Sequence, residues 1–319
     1  MHYSPQPMHI PDGFLSVPVS LACWAIALVA VAYALKRANQ DLGEKQVPLM
    51  GVLAACIFAG QMLNFAVAGG TSGHLLGAAL AAILLGPWAA VLVLTTVVGV
   101  QALIFQDGGL LALGANIFNM AIVGVFVASF AYRTVQRLVG GSRWGVPVSG
   151  FVAGWLSVFI AALATALELA FSGTSPANIA VPAMGGIHAL IGIGEGLITA
   201  GALAVISAAR PDLLRQGQTQ AAVGGRAVWV GGLIIALGLA VVSPLASAHP
   251  DGLEWVAGQN GFLEAAQGPV FSIIPDYVLP GVSNQALATI LAGVLGALIV
   301  AGVALAVAYT RRSRSTEAG

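Results

Sequence analysis

The sequence predicts an all-α membrane protein that crosses the bilayer several times. Of its 319 residues, 58% are apolar and only 8% are charged, and its mean hydropathy is +0.93. A soluble domain carries about 25% charged residues, so this chain has too little charge to cover a surface that faces water. Its apolar runs are mostly long enough to cross about 30 Å of hydrocarbon as helices, and short polar loops separate them.

Eight apolar runs follow one another along the chain. The third run, 74–104, is too long for one ordinary span, and the sequence LLGPW interrupts its middle. We predict two short spans there, each about 23 Å long, which turn at Gly86-Pro87 and bring the total to nine crossings. The runs cover residues 19–35, 47–68, 74–104, 114–132, 147–171, 187–208, 227–246 and 286–309.

The basic residues predict the orientation of the chain. All twelve lysines and arginines fall in four clusters, which the positive-inside rule places in the cytoplasm. An even number of crossings must then separate the first two clusters, which also favours two spans within 74–104. The N-terminus is predicted outside, the C-terminus in the cytoplasm, and the multi-pass protein in the cell membrane. The clusters are Lys36, Arg37 and Lys45; Arg133, Arg137 and Arg143; Arg210, Arg215 and Arg226; and Arg311, Arg312 and Arg314.

The outer face is predicted to carry acids and histidines but no basic residue. An acidic mouth raises the local concentration of cations, and imidazole groups suit a borderline transition metal. Ordinary solvated loops explain these charges equally well. The residues are Asp12, Asp107, Asp251, Glu254, Glu264 and Asp276, with the histidines His2, His9, His74, His188 and His249.

Met-His occurs twice near the N-terminus, at residues 1–2 and again at Met8-His9. If translation begins at Met8, its amine, the amide nitrogen of His9 and the Nδ1 atom of His9 can close two fused chelate rings around one metal. Three nitrogens in a plane suit the tetragonal geometry of Ni(II) and Cu(II). His74 follows a glycine-rich outer loop and is the candidate for a fourth nitrogen, although a lone histidine at a helix start is more often a solvated or capping residue.

Four longer motifs occur in order: MHIPDGFLS, QMLNFAVAGGTSGHLLGAALAAILLGPW, FQDGGLLALGANIFNM and VPAMGGIHALIGIGEGLIT. Together they resemble the CbiM/NikM family, the substrate-capture (S) subunits of energy-coupling-factor transporters for cobalt and nickel. The resemblance covers about residues 8–208 and implies a core of about seven helices. It implies that Met8, His9 and His74 bind the transported Ni²⁺ or Co²⁺. Ala66 departs from the family, which usually has a proline there.

Residues 1–7 are the larger departure from the family pattern. If they are present, the nitrogen of Met8 is an amide and the family's chelate cannot form. The first Met-His pair could build an equivalent chelate, but the residues after it do not form the turn that the family uses. We therefore expect residues 1–7 to be an over-extended start and Met8 to be the first residue.

The C-terminal part is predicted to be a second unit. Residues 209–225 read as a polar cytoplasmic linker, and residues 226–319 as a domain with two spans and an outer loop. The sequence PDGLE in that loop, Pro250–Glu254, resembles the CbiN-like accessory component that is fused to the S subunit in many nickel and cobalt systems. The resemblance implies a part in metal loading, whereas a capped turn explains the motif equally well.

Glu195 is predicted to lie deep in a span, where a carboxyl group is costly and marks either a function or a partner. A hydrogen bond between helices, with Asn116 or Asn119, is favoured over a place on a cation path. Cys23 and Cys56 both fall in apolar runs and are expected to be free thiols at helix contacts.

The motifs that are missing from the sequence argue against an enzyme. There is no G-x-x-x-x-G-K-[ST] phosphate loop, no H-E-x-x-H and no G-x-S-x-G, so we expect no catalysis and no catalytic cofactor. The zero net charge gives no hint of nucleic acid. The resemblance implies a transmembrane coupling (T) subunit and two cytoplasmic ATPases as partners, besides membrane lipid. A stand-alone metal channel or facilitator and a membrane metal sensor remain alternatives, and the sequence does not choose between nickel and cobalt.

Overall fold

The computed structural model of the protein describes residues 8–41, 46–139, 142–214 and 225–316. Within these ranges, seven helices are long and apolar enough to cross a membrane, which confirms the predicted polytopic all-α class. The helices are α1 (Val17–Asp41), α2 (Gln46–Gln61), α3 (Ala78–Leu85), α4 (Pro87–Val100), α5 (Leu113–Asn116), α6 (Val125–Val139), α7 (Gly145–Phe171), α8 (Ala177–Ala209), α9 (Gly225–Val242), α10 (Gly252–Gln259) and α11 (Gln285–Thr316).

Short π-helical segments join some of these helices into longer rods. Gln101–Phe105 continues α4, and Ile117–Gly124 joins α5 to α6. With these joins, the part of the chain up to α8 contains the seven helices expected for the core, and α9 and α11 supply the two long helices expected after it. The side of the membrane on which each terminus lies stays a prediction. Residues 1–7 and 215–224, which include the expected over-extended start and most of the expected linker, lie outside the described residues.

The predicted span 47–68 is wrong at its end, because α2 stops at Gln61. The following residues form a two-stranded antiparallel hairpin of β1 (Phe65–Val67) and β2 (Thr71–Gly73). Hydropathy alone does not separate this short apolar strand from the end of a helix.

The predicted division of 74–104 into two equal spans is also wrong. The break does fall at Gly86-Pro87, but α3 has only eight residues and is about 12 Å long. The second helix runs for 19 residues, Pro87–Phe105. The short α3 follows from Gly77, which has a φ of 76° and leaves no room for a Cβ atom beside Ile57. Residues 74–77 therefore enter the helix bundle as extended chain before α3 begins.

Side chains from two helices satisfy the backbone of this extended segment. Glu195 accepts hydrogen bonds from the backbone nitrogens of Leu76, at 2.7 Å, and Gly77, at 3.0 Å. Gln61 donates to the carbonyl oxygen of Leu76 at 3.1 Å. Inside a membrane, non-helical backbone is tolerated where protein buries it and supplies its hydrogen bonds. Glu195 thus stabilises the segment that carries His74.

The partners of Glu195 differ from those predicted, because Asn116 and Asn119 bond elsewhere. Asn119 instead donates to Glu168 at 2.8 Å, and the thiol of Cys23 lies 3.6 Å from the same carboxyl group. Glu168 is a second buried carboxyl group among the spans, which the sequence analysis did not single out. Both cysteines are free, as predicted.

The C-terminal unit packs directly on α2. The thiol of Cys56 donates to the carbonyl oxygen of Gly232 in α9 at 3.3 Å. Farther along α2, the ring of Phe58 contacts the rings of Phe105 and Tyr277 at centroid distances of 5.2 and 6.1 Å. Through this aromatic cluster the loop between α10 and α11 reaches the end of the bundle where the N-terminal segment lies.

Candidate metal site

The N-terminal segment before α1 is folded into the protein rather than exposed. Met8 and His9 are only 4% and 5% exposed. The backbone nitrogens of Met8 and His9 donate to Oδ1 of Asp107 at 2.8 and 3.2 Å, and Nδ1 of His9 lies 3.3 Å from the same oxygen. The three nitrogens that the predicted chelate requires therefore face one point.

Two polar side chains fix the next residues of this segment. Asn116 accepts from the nitrogen of Ile10 at 3.0 Å and donates to its carbonyl oxygen at 3.1 Å, as a neighbouring strand would. The carboxylate of Asp12 accepts from the nitrogens of Leu110 and Ala112 at 3.1 and 2.9 Å. These bonds join the first motif of the sequence to the third.

Gly108 permits this close approach. Its φ is 94°, and a Cβ atom there would lie 2.9 Å from the Cβ of His9 and 2.9 Å from Nδ2 of Asn116. The glycines of the FQDGG motif thus leave space for the N-terminal segment, while the aspartate of the motif binds it.

His74 lies beside His9, with 5.7 Å between the two ring centroids and an angle of 85° between the rings. Its Nδ1 atom is 3.1 Å from Oδ1 of Asp251. A carboxylate that accepts from one imidazole nitrogen fixes the ring and leaves the other nitrogen, here Nε2, free to bind a metal.

Asp251 belongs to the PDGLE motif, where the structure shows the capped turn and also a contact with a predicted metal ligand. It caps the N-terminus of α10 by accepting from the nitrogen of Leu253 at 3.4 Å, and it contacts His74. The hairpin before His74 is bound to the same loop, since Ser72 donates from its backbone nitrogen to Pro250 at 2.8 Å and from its hydroxyl to His249 at 2.9 Å.

The surroundings of Asp107 favour the charged form of its carboxyl group. Burial raises the pKa of its carboxyl group, but the imidazole of His9 and hydrogen bonds from His9, Tyr277 and Met8 outweigh burial and lower the pKa to about 2. A negative charge beside several nitrogen donors favours a cation at this place.

Two cavities meet at the N-terminal segment. A cavity of about 80 Å³ is bordered by His9, His74 and His188. A larger cavity of about 360 Å³ lies between the N-terminal segment and the C-terminal loops, and Met8, His9 and Asp251 border both. The larger one carries the carboxyl groups of Asp12, Asp251, Glu254 and Asp276.

The structure thus brings together all three residues predicted to bind the metal, Met8, His9 and His74. In the part of the chain that it describes, no three His, Cys, Asp and Glu side chains form a group that could hold a metal ion by themselves. Sequence reasoning missed the roles of Asp107 and Asp251. Both were noted only as outer acids, although each stands in a motif that carries the family resemblance.

These features define a multi-pass helical membrane protein with a buried site of nitrogen donors where its N-terminal segment folds into the bundle. The chain belongs to the CbiM family, described as the cobalt uptake substrate-specific transmembrane region, which matches residues 9–213. A PDGLE domain matches residues 226–313. Family membership confirms the predicted resemblance, and with it a multi-pass transport protein rather than an enzyme.

Two relatives match nearly the whole chain, and a solved structure matches a large part of it. A putative fused nickel transport protein NikMN of Archaeoglobus fulgidus is 40% identical, over 97% of this chain and 100% of that protein. The fused nickel transport protein NikMN of Rhodobacter capsulatus is 34% identical, over 96% and 100%. A crystal structure of a truncated transition metal transporter is 38% identical, covers 62% of this chain and 98% of its own, and superposes with a TM-score of 0.56.

Proposed function

We propose that the chain is the substrate-specific membrane subunit that captures Ni²⁺ or Co²⁺ at its outer end for ATP-driven uptake by an energy-coupling-factor transporter. One observation carries the proposal. The nitrogens of Met8 and His9 face one point inside the protein, next to His74 and beside a fixed carboxylate.

The proposed ligands are four nitrogens: the amine of Met8, the amide nitrogen and Nδ1 of His9, and Nε2 of His74. The amide must lose its proton to bind, which a metal that favours tetragonal nitrogen coordination makes possible. This donor set favours Ni²⁺ over Co²⁺, and two full-length relatives carry the name of fused nickel transport proteins. The orientation of His74 by Asp251 supports its place in the set.

The proposal requires Met8 to be the first residue of the mature chain. A residue before Met8 converts its amine into an amide, whose lone pair is delocalised and not basic. The nitrogen would still donate to Asp107 but would bind a metal only after losing its own proton.

The captured ion is proposed to move inward with energy that partner proteins supply. The sequence contains no phosphate loop for ATP, so two cytoplasmic ATPases and a transmembrane coupling subunit would supply the power. The larger cavity, with its four carboxyl groups, is the proposed entrance for the cation from outside.

Nickel binding by the purified chain that begins at Met8 tests the proposal. His74→Ala should abolish high-affinity binding and leave thermal unfolding nearly unchanged, because the ring borders a cavity. The matched control is His249→Ala, since His249 is an exposed histidine of the neighbouring loop. Retention of full affinity by His74→Ala, or an equal loss in His249→Ala, would contradict the site.

Uptake experiments separate the proposal from its two alternatives. In cells that contain the coupling subunit and the ATPases, accumulation of nickel should require all of them and should stop when ATP is depleted. A channel or facilitator would instead give uptake by the chain alone, limited by the gradient. A sensor would bind the metal without any uptake.

A further inference from the structure

The carboxylate of Asp107 connects the N-terminal segment to the C-terminal unit. Its Oδ1 atom faces the nitrogens of Met8 and His9. Its Oδ2 atom accepts a hydrogen bond of 2.6 Å from the hydroxyl of Tyr277, which lies in the loop between α10 and α11. Both oxygens of the carboxylate therefore accept hydrogen bonds, one from the N-terminal segment and the other from the C-terminal unit.

Tyr277 is held firmly in place. It is 1% exposed, and its ring stacks on Phe105 with a centroid distance of 4.9 Å and an angle of 14° between the rings. Its φ is 56°, in the left-handed region that bulky residues rarely adopt, and Asp276 before it has a φ of 53°. Backbone strain of this kind persists only where the surrounding structure fixes the residue.

We propose that Tyr277 is a positioning residue for metal capture, which acts through Asp107 on the nitrogens of Met8 and His9. The inference rests on the proposed function and extends it, because it gives the fused C-terminal unit a defined part in the site. The hydroxyl of Tyr277 fixes the carboxylate so that its other oxygen holds the nitrogens together before a metal binds.

The direction of the hydrogen bonds supports this role. The N–H bonds of Met8 and His9 point at Oδ1 of Asp107, and a nitrogen that has lost this proton directs its lone pair the same way. Oδ1 therefore lies on the side of the nitrogens from which the metal must bind. A metal that enters replaces the hydrogen bonds to Oδ1, while the bond from Tyr277 to Oδ2 keeps the carboxylate nearby as a compensating charge.

Without the hydroxyl of Tyr277, the carboxylate can rotate and the donors are less well assembled before the metal binds. Residues that hold metal ligands through a second hydrogen bond typically change metal affinity by about 10- to 100-fold when they are replaced. Tyr277→Phe removes only the hydroxyl that donates to Asp107 and keeps the ring stacked on Phe105.

The test measures Ni²⁺ affinity by titration calorimetry, with the full chain that begins at Met8, in detergent. Tyr277→Phe should raise the Kd at least tenfold and leave the ligand-field absorption of bound Ni²⁺ unchanged, because the same four nitrogens bind. The control, Tyr33→Phe, also loses a hydrogen-bonded hydroxyl, one that accepts from Arg37 at 3.0 Å far from the site. It should keep the wild-type Kd.

A double-mutant cycle with Asp107→Asn shows whether Tyr277 acts through Asp107. The expected result is that Tyr277→Phe has no further effect once Asp107 is replaced. The inference is wrong if Tyr277→Phe binds within twofold of wild type, if Tyr33→Phe loses as much, or if the effects of the two substitutions multiply. Failure of the wild-type chain to bind Ni²⁺ would instead contradict the proposed function itself.

Discussion

Replacing Glu195 by glutamine tests how the extended segment that carries His74 is held inside the bundle. The carboxyl group accepts two backbone N–H groups, those of Leu76 and Gly77, at 2.7 and 3.0 Å. Glutamine has nearly the same volume but offers one oxygen and one NH₂ group. One of the two N–H groups would then face another donor in a place that water does not reach.

The magnitude follows from the loss of one buried hydrogen bond. A buried donor left without a partner costs about 1–3 kcal/mol, so Glu195→Gln should lower the free energy of unfolding by about that amount. Metal affinity should fall as well, because His74 lies two residues before Leu76 and must be reordered when the ion binds. If the full cost appears in binding, the Kd rises roughly 5- to 150-fold.

Thermal unfolding in detergent and nickel titration measure the two effects on the same protein. Glu264→Gln is the control, since Glu264 is an exposed carboxyl group in the outer loop, and it should behave as wild type in both assays. If Glu195→Gln unfolds at the wild-type temperature and binds nickel with the wild-type Kd, the carboxyl group does not hold the segment.

Three further predictions concern the surroundings of the site. Asp251→Asn should weaken nickel binding by about tenfold or more, because an amide orients the ring of His74 less strongly; an unchanged Kd in calorimetry would separate the PDGLE motif from the site. Gly108→Ala should impair both folding and binding, since its Cβ would press on His9, and Gly99→Ala, which meets open space, is the control. Neutralising the half-buried Glu254 and the exposed Glu264 should slow capture in stopped-flow measurements mainly at low ionic strength, because charges near the surface are screened within about 8 Å at physiological salt; a complete loss of binding would show that this loop touches the metal.

The long spans could be predicted from the sequence because burial in lipid requires long apolar runs and leaves them visible in hydropathy. The short length of α3, about half of the predicted span, could not be predicted in this way. It depends on a hydrogen bond that Gln61 donates to an extended backbone and on two that Glu195 accepts from it, and Glu195 is 119 residues from Leu76 along the chain. No local pattern shows which carboxyl group will reach which amide.

In the candidate site, too, some residues could be predicted from the sequence and others could not. Met8 and His9 could be proposed from local chemistry, because the chelate uses neighbouring atoms of the chain, and His74 from its glycine-rich loop and the family resemblance. The carboxylates that orient these residues come from distant positions: Asp107 is 98 residues from His9, and Asp251 is 177 residues from His74. Sequence alone marked both as acids of an outer surface, whereas both are buried.

The most direct test of the account compares nickel binding by two forms of the chain, one that begins at Met8 and one that begins at Met1. The account predicts that the longer form loses one of four ligands and a chelate ring. This loss should exceed the effect of losing a supporting hydrogen bond, so its Kd should be more than about 100-fold higher. X-ray absorption at the nickel edge should show four nitrogens in the short form only. Equal affinity and equal coordination in the two forms would contradict the N-terminal site.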